Sequence, residues 1–283
     1  MAHCVVAEAE AILDKEYPVL DKGFVRLVDY MGGDERVVQA ARVSYGEGTK
    51  TYREDAGLID YLLRHQHTSP FEQIVLTFHI KLPIFVARQM IRHRTASLNE
   101  VSGRYSVMKD DFYVPADGDM ALQSTDNKQG RLDEPVSAAL AGELRSALEG
   151  GQKQAYAGYS ALIDKGIARE LARINLPLSL YTEWYWEMDL HNLFHFLQLR
   201  MDSHAQLEIR RYAEVMFDIC RKVAPRCCES FERHRLGGVS FSAGEMAELR
   251  QRLGEAGATA GEPALTGKAL ERFEEKLRTG KQL

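Results

Sequence analysis

Strands mixed with longer helices, without regular βαβ alternation, predict an α+β fold for this chain of 283 residues. No internal repeat, heptad or collagen-like pattern points elsewhere. A hydrophobic content of 45% is enough for one large domain, or for a core with an appendage.

The elements follow in order. "FVRLVDYMGG" (24–33) alternates and ends in paired glycines, a strand and a turn. "DERVVQAARVSYG" predicts a helix, with Asp34 as its cap and Val37, Ala40 and Ala41 at helical spacing. A second helix covers "DAGLIDYLLRHQ", with Leu58, Tyr61 and Leu62 on one side. "IVLTFHIKL" is β-branched and aromatic, a buried strand. Pro83 then starts the helix "PIFVARQMIRHR", because proline suits the first helical position. "DFYVP" is a candidate short strand. Residues 116–134 are polar, Gly-containing and aperiodic, which predicts a mobile surface loop. A long helical region is expected over 135–166, broken at "EGGQ". "ARELARINLP" reads as a short helix stopped before Pro177, and "LSLYTEWYWEMDL" as a strand. Two helices follow, near 190–200 and 205–223. Beyond Leu236 the composition shifts to Gly, Ala, Glu and Lys. There Met246, Leu249 and Leu253, then Ala269, Phe273 and Leu277, predict two amphipathic helices. The chain thus divides into a main domain, 1–235, and a helical C-terminal appendage, 236–283.

Charge and cysteine usage narrow the function. With 36 basic and 41 acidic residues the net charge is −5, which disfavours a nucleic-acid backbone as partner. The four cysteines, Cys4, Cys220, Cys227 and Cys228, form no C-x-x-C pair and suit a reducing cytosol. No basic leader precedes an apolar stretch, and no run approaches the ~18 apolar residues of a membrane span. The expectation is a soluble, cytoplasmic protein.

Against that acidic balance, "RHRTASLNEVSGRY" (92–105) is a local concentration of anion-seeking groups. On a helix Gln89 would share a face with Arg92 and His93. An extended chain after Glu100 would align Ser102 with Arg104. Arginine forks suit phosphate oxygens and pyrimidine carbonyls, and Glu100 would accept from ring N–H or ribose hydroxyl groups. The plainer explanation is a capping box, "SLNE", with Arg92 and Arg94 decorating a helix C-terminus. The density of the cluster favours a small anionic ligand. In "RHQHTSPFEQ", His67 and Glu72 flank a proline-fixed turn, and a structural role is as good a reading as a functional one. His191 and His195 in "DLHNLFH" have the spacing of a zinc pair. Asn192, however, stands where a metalloprotease needs Glu, no third ligand is evident, and no metal site is expected. Arg200 could reach a pocket or serve as a cap. "GEPALTGKA" fails as a phosphate loop, since five residues separate Gly261 from Gly267 and Ala269 replaces Ser or Thr.

"RHRTASLNEVS" matches R-H-R-x7-S, and the chain thereby resembles the flavin-dependent thymidylate synthases. "AARVSYG", "HQHTSPFEQ", "SGRYS", "ARINLPLSLYTEWYW" and "FLQLRMDSHAQLEIRRYA" resemble family segments in family order, so the likeness spans about residues 23–232. The resemblance implies a central, largely antiparallel sheet packed with long helices, in a thymidylate synthase-complementing type of subunit. It implies reductive methylation of dUMP to dTMP. Methylenetetrahydrofolate would supply the carbon, FAD would be the redox cofactor and NADPH the reductant. "APRCCES" lacks the Pro-Cys step of the other thymidylate synthases, which agrees with cofactor-borne chemistry. By resemblance Gln89, Glu100, Ser102, Gly103, Arg104 and Arg173 hold dUMP, while Arg92 and Arg200 lie near its uracil and act catalytically with His67. Ser44, His67, Ser69, Glu72, Arg92, His93, Arg94, Thr95, Asn99 and Glu100 would line the FAD site. At Asp189, His191 and His195 the family pattern has more Asn and Arg character, and an aspartate facing a pyrophosphate is unfavourable. These three stand as FAD neighbours that depart from the pattern. A homotetramer with active sites shared between subunits is implied. A nonenzymatic regulator that kept the dUMP pocket and lost flavin is the rival reading.

Overall fold

Alternating apolar residues at 24–31, 74–82 and 181–189 need a surface to cover them, and helices supply it. The structure, a computed structural model, describes residues 4–43, 52–125, 128–256, 265 and 267–279. The elements run α1 (Ala7–Glu10), β1 (Glu16–Val19), β2 (Gly23–Met31), α2 (Asp34–Arg42), α3 (Tyr52–Arg64), β3 (Val75–Pro83), α4 (Ile84–Met90) and β4 (Ser97–Glu100). Then come β5 (Ala121–Gln123), β6 (Arg131–Pro135), α5 (Ala138–Asp164), α6 (Arg169–Ala172), β7 (Tyr181–Asp189), α7 (Leu190–Arg200), α8 (Leu207–Val223) and α9 (Pro225–Phe231). The C-terminal helices are α10 (Ala243–Ala256) and α11 (Lys268–Thr279).

The expected α+β architecture with a central antiparallel sheet is the one adopted. The five strands lie in the order β1-β2-β3-β7-β4, and every adjacent pair is antiparallel. Phe78 sits opposite Leu27 on one side and Trp186 on the other, so one face carries large apolar side chains. A register shift between Leu27 and Asp29 lets both Leu27 and Tyr30 face inward. Helix α8 covers this face with Ile209, Tyr212, Ala213, Met216 and Phe217, all buried. Burying a side chain the size of Phe78 or Trp186 contributes on the order of 2–3 kcal/mol before conformational entropy is counted.

Several local expectations are corrected by tertiary contacts. Asp34 does not cap its own helix: its carboxylate accepts the backbone N–H groups of Arg226 (2.8 Å) and Cys227 (3.0 Å), capping α9. Tyr61 is exposed, and the inward side of α3 is Ile59, Leu62 and Leu63. Pro83 ends β3 and caps α4, which stops at Met90, short of Arg92. "SLNE" is edge strand β4 rather than a capping box, because it pairs with β7 from Ser97–Glu187 to Glu100–Trp184. The "EGGQ" segment does not break α5. Gln152 is buried and donates to the Tyr113 carbonyl (3.0 Å) and Ser179 Oγ (3.2 Å), offsetting the roughly 1 kcal/mol that each glycine costs a helix.

The polar stretch at 116–134 is no free loop. It folds into the β5–β6 hairpin, whose Arg131 reaches Glu208 (2.7 Å) while Asp119 takes two bonds from Arg211 (2.8 and 2.7 Å). Beyond Leu236, the two expected helices form as α10 and α11, with Met246 and Leu249 half-buried.

Candidate active site

The R-H-R triplet lies where α4 gives way to β4. The chain leaves the helix through backbone bonds from Arg92 N to the Gln89 carbonyl (3.3 Å) and from His93 N to the Met90 carbonyl (3.0 Å). Arg92 and Arg94 end exposed, and His93 is half-buried. The helical-face argument for Gln89, Arg92 and His93 therefore gives way to a turn. His93 packs edge-on against Phe196 (4.9 Å between centroids) and near His195 (6.1 Å). Its Nε2 accepts the Nε–H of Arg200 at 3.0 Å. Arginine can only donate, so that ring nitrogen is unprotonated. Burial first, then the Arg200 and His195 charges, lower the His93 pKa to about 4. The last residue of α7 is thereby joined to a motif that lies 107 residues earlier.

A second group forms around Ser102–Arg104. The turn is closed by Tyr105 N and Ser106 N, both 3.0 Å from the Ser102 carbonyl, and Ser102 Oγ accepts the Arg104 N–H at 3.3 Å. The two-residue period expected of an extended chain here does not hold. Gly103 is buried, and a Cβ added there would stand 3.1 Å from both Cδ and Nη1 of Arg173. Glycine is what allows this guanidinium to lie against the turn. Arg104 Nε pairs with Glu170 Oε2 at 3.0 Å, an exposed bridge worth little. Glu100 Oε1 accepts the Thr182 hydroxyl at 2.6 Å from the neighbouring strand.

The third part is a cavity of about 170 Å³ lined by His67, Thr68, His191, His195, Gln198 and Arg235, with Phe71, Phe194 and Phe231 among its apolar walls. Gln66 ends α3 in the left-handed region (φ 60°), where the His67 N–H reaches the Leu62 carbonyl at 2.9 Å and fixes the entry of the imidazole. Ser69 and Glu72 lie exposed on the short helical turn that follows. Asp189 is the N-cap of α7, and both its carboxylate oxygens are taken by Asn192, at 2.9 and 2.6 Å. Ser44 lies outside the described residues. Among the described residues, no cluster of three or more His, Cys, Asp or Glu is placed to hold a metal ion. No helix among them is long and apolar enough to cross a membrane.

The donor set fits a flavin nucleotide. Aromatic walls with imidazoles match a flat ring with polar edges. Gln206, whose oxygen receives the Gln89 amide, was not anticipated, and neither were Gln198 and Arg235. One signal was available: Glu208 precedes Tyr212 by one helical turn on the buried stripe of α8, an unusual place for a carboxylate.

Residues 26–226 match the family model described as thymidylate synthase complementing protein, and residues 239–283 match that of the thymidylate synthase ThyX C-terminal domain. A flavin-dependent thymidylate synthase of Treponema denticola is 68% identical over 271 residues, covering 96% of this chain and 100% of that protein. One from Thermus thermophilus is 57% identical over 233 residues, covering 82% and 84%. The crystal structure of a UMP/dUMP methylase from Streptomyces cacaoi bound with 5-Br dUMP superposes with a TM-score of 0.71. Its identity is 34%, over 77% of this chain and 98% of that one. Motif, fold and sequence likeness agree: the chain belongs to the flavin-dependent thymidylate synthase family.

Proposed function

We propose that this protein carries out the reductive methylation of dUMP to dTMP, with methylenetetrahydrofolate as carbon donor and NADPH as reductant. Bound FAD supplies the redox chemistry at this site. The observation that carries the reading is the bond between Arg200 and a neutral His93. It occupies Arg200 Nε and leaves the two terminal nitrogens of the fork for a uracil carbonyl. A fixed, partly desolvated cation there stabilises negative charge on the ring as its C5 attacks an electrophile. His93 neither carries a competing charge nor releases the guanidinium.

Arg173, Arg104, Ser102 and the Gly103 backbone hold the nucleotide, chiefly its phosphate, and Gln89, Glu100 and Arg92 complete that site. Ser102 has a backbone N–H on its oxygen and is assigned no base, so it binds rather than attacks. His67, Ser69, Glu72, Arg92, His93, Arg94, Thr95, Asn99, Glu100, His191 and His195 would hold FAD, with Ser44 assigned by resemblance. Asp189 serves this region by capping α7. Tyr105, Leu171, Ile174 and Leu178 are exposed beside Arg104 and Arg173, which supports a homotetramer whose sites are shared between subunits. Residues 1–235 would form the catalytic unit and 236–283 its appendage. Cysteines without disulfides suit the cytoplasm.

Tritium release from [5-³H]dUMP tests the reading, with FAD, NADPH and methylenetetrahydrofolate each omitted in turn. Release that needs all three is expected. Undiminished release from flavin-stripped protein without added FAD would reject it.

A further inference from the structure

Gln89 does not stand alone beside the nucleotide site. Its Nε2 donates to Oε1 of Gln206, and Nε2 of Gln206 donates to Glu208 Oε2 at 2.8 Å. The other Glu208 oxygen receives Arg131 Nη2 at 2.7 Å and the Tyr113 hydroxyl at 3.2 Å. Arg131 is itself fixed by its second nitrogen, which donates to the Asp119 carbonyl at 2.6 Å, and Asp119 is gripped by Arg211. An unbroken hydrogen-bonded chain thus runs from the β5–β6 hairpin, through the first turn of α8, to the end of α4.

The direction of this chain follows from chemistry. Glu208 is 4% exposed, and burial alone would raise its pKa; Arg131 and Gln206 outweigh burial and hold it below the usual carboxylate range. An ionised carboxylate only accepts, so Gln206 must turn its NH₂ toward Glu208 and its carbonyl toward Gln89. Gln89 must then turn its own NH₂ toward Gln206, which leaves its carbonyl oxygen unclaimed by this chain. We propose that Gln206 and Glu208 are positioning residues that fix the rotamer and amide orientation of Gln89 for the nucleotide, with the hairpin as their anchor. This rests on the reading of Gln89 as a dUMP ligand. It also gives the polar 116–134 stretch a role, since Arg131 keeps the Glu208 carboxylate charged and that charge sets the polarity of two amides.

Gln206 is exposed, so replacing it leaves the core intact. Gln206→Leu removes both bonds, and Gln206→Asn keeps the amide on a shorter arm. Steady-state kinetics on the holoenzyme should show Q206L raising the KM for dUMP roughly five- to tenfold, the cost of one poorly oriented hydrogen bond, with kcat little changed. The melting temperature should fall only slightly, since Arg131 and Tyr113 still hold the Glu208 carboxylate, and Q206N should recover part of the KM. The deciding measurement is a double-mutant cycle with Gln89→Ala, in which Q206L should add nothing once the Gln89 amide is gone. If Q89A raises KM while Q206L is silent or adds its full effect to Q89A, the relay is overturned and the nucleotide site stands. If Q89A itself leaves the dUMP KM unchanged, Gln89 is no ligand, and both readings fall.

Discussion

Because the Arg200–His93 bond needs a neutral imidazole, acid should weaken the protein through His93. Burial, Arg200 and His195 hold this group at about 4 when folded, against 6.5 for the free side chain. Between those values the unfolded chain binds more protons than the folded one. The stabilising contribution is therefore complete above pH 6.5 and is lost as the pH falls toward 4. The full gap corresponds to about 3 kcal/mol, and partial solvent access to a half-buried ring reduces this to about 1–2 kcal/mol. His93→Gln retains an acceptor for Arg200 but does not titrate. Urea unfolding of wild type and H93Q, at one protein concentration, should be compared at pH ~7.5 and ~5. All other ionisable groups are common to both proteins and cancel in the difference. Wild type should lose about 1–2 kcal/mol more than H93Q over that interval. Parallel losses would refute the reasoning, since they would mean that His93 titrates alike in the folded and unfolded chains.

Four further outcomes are expected. Arg200→Ala should abolish dTMP formation without altering the circular dichroism spectrum. Arg200→Lys should also lose about 10²–10³ in kcat, because an ammonium lacks the fork that spans His93 and a carbonyl. Asp34→Ala leaves two N–H groups of α9 without their acceptor, and should lower unfolding free energy by about 2–3 kcal/mol while the KM for dUMP is unchanged. Gly103→Ala places a methyl 3.0 Å from Met108 Sδ and 3.1 Å from Arg173, and should raise the dUMP KM about tenfold with an unchanged melting temperature.

The candidate site was legible in the sequence to the extent that its proposed residues sit close together along the chain. The run from Arg92 to Arg104 pointed to a binding region, and the family resemblance proposed Arg173 and Arg200 as further members of it. What that reading missed was how these residues are held. Helical periodicity put Gln89, Arg92 and His93 on one face, yet α4 ends at Met90 and the triplet occupies a turn. The His93–Arg200 bond, the Gln89–Gln206–Glu208 chain and the contact of Gly103 with Arg173 all join segments far apart in sequence.

By itself, the sequence determined the elements whose patterning is strong. β2, β3 and β7 alternate clearly, α7 and α8 carry continuous apolar stripes, and α2 and α3 fall close to where periodicity puts them. Those choices are local, set by hydrophobic period and backbone preference over a few residues. Only the tertiary structure decided that "SLNE" would be an edge strand, that α5 would run through its paired glycines, that Asp34 would cap α9, and that the polar stretch would dock as a hairpin. In each case a partner distant in the chain outweighs a local preference of about 1 kcal/mol, and no window of sequence contains that partner.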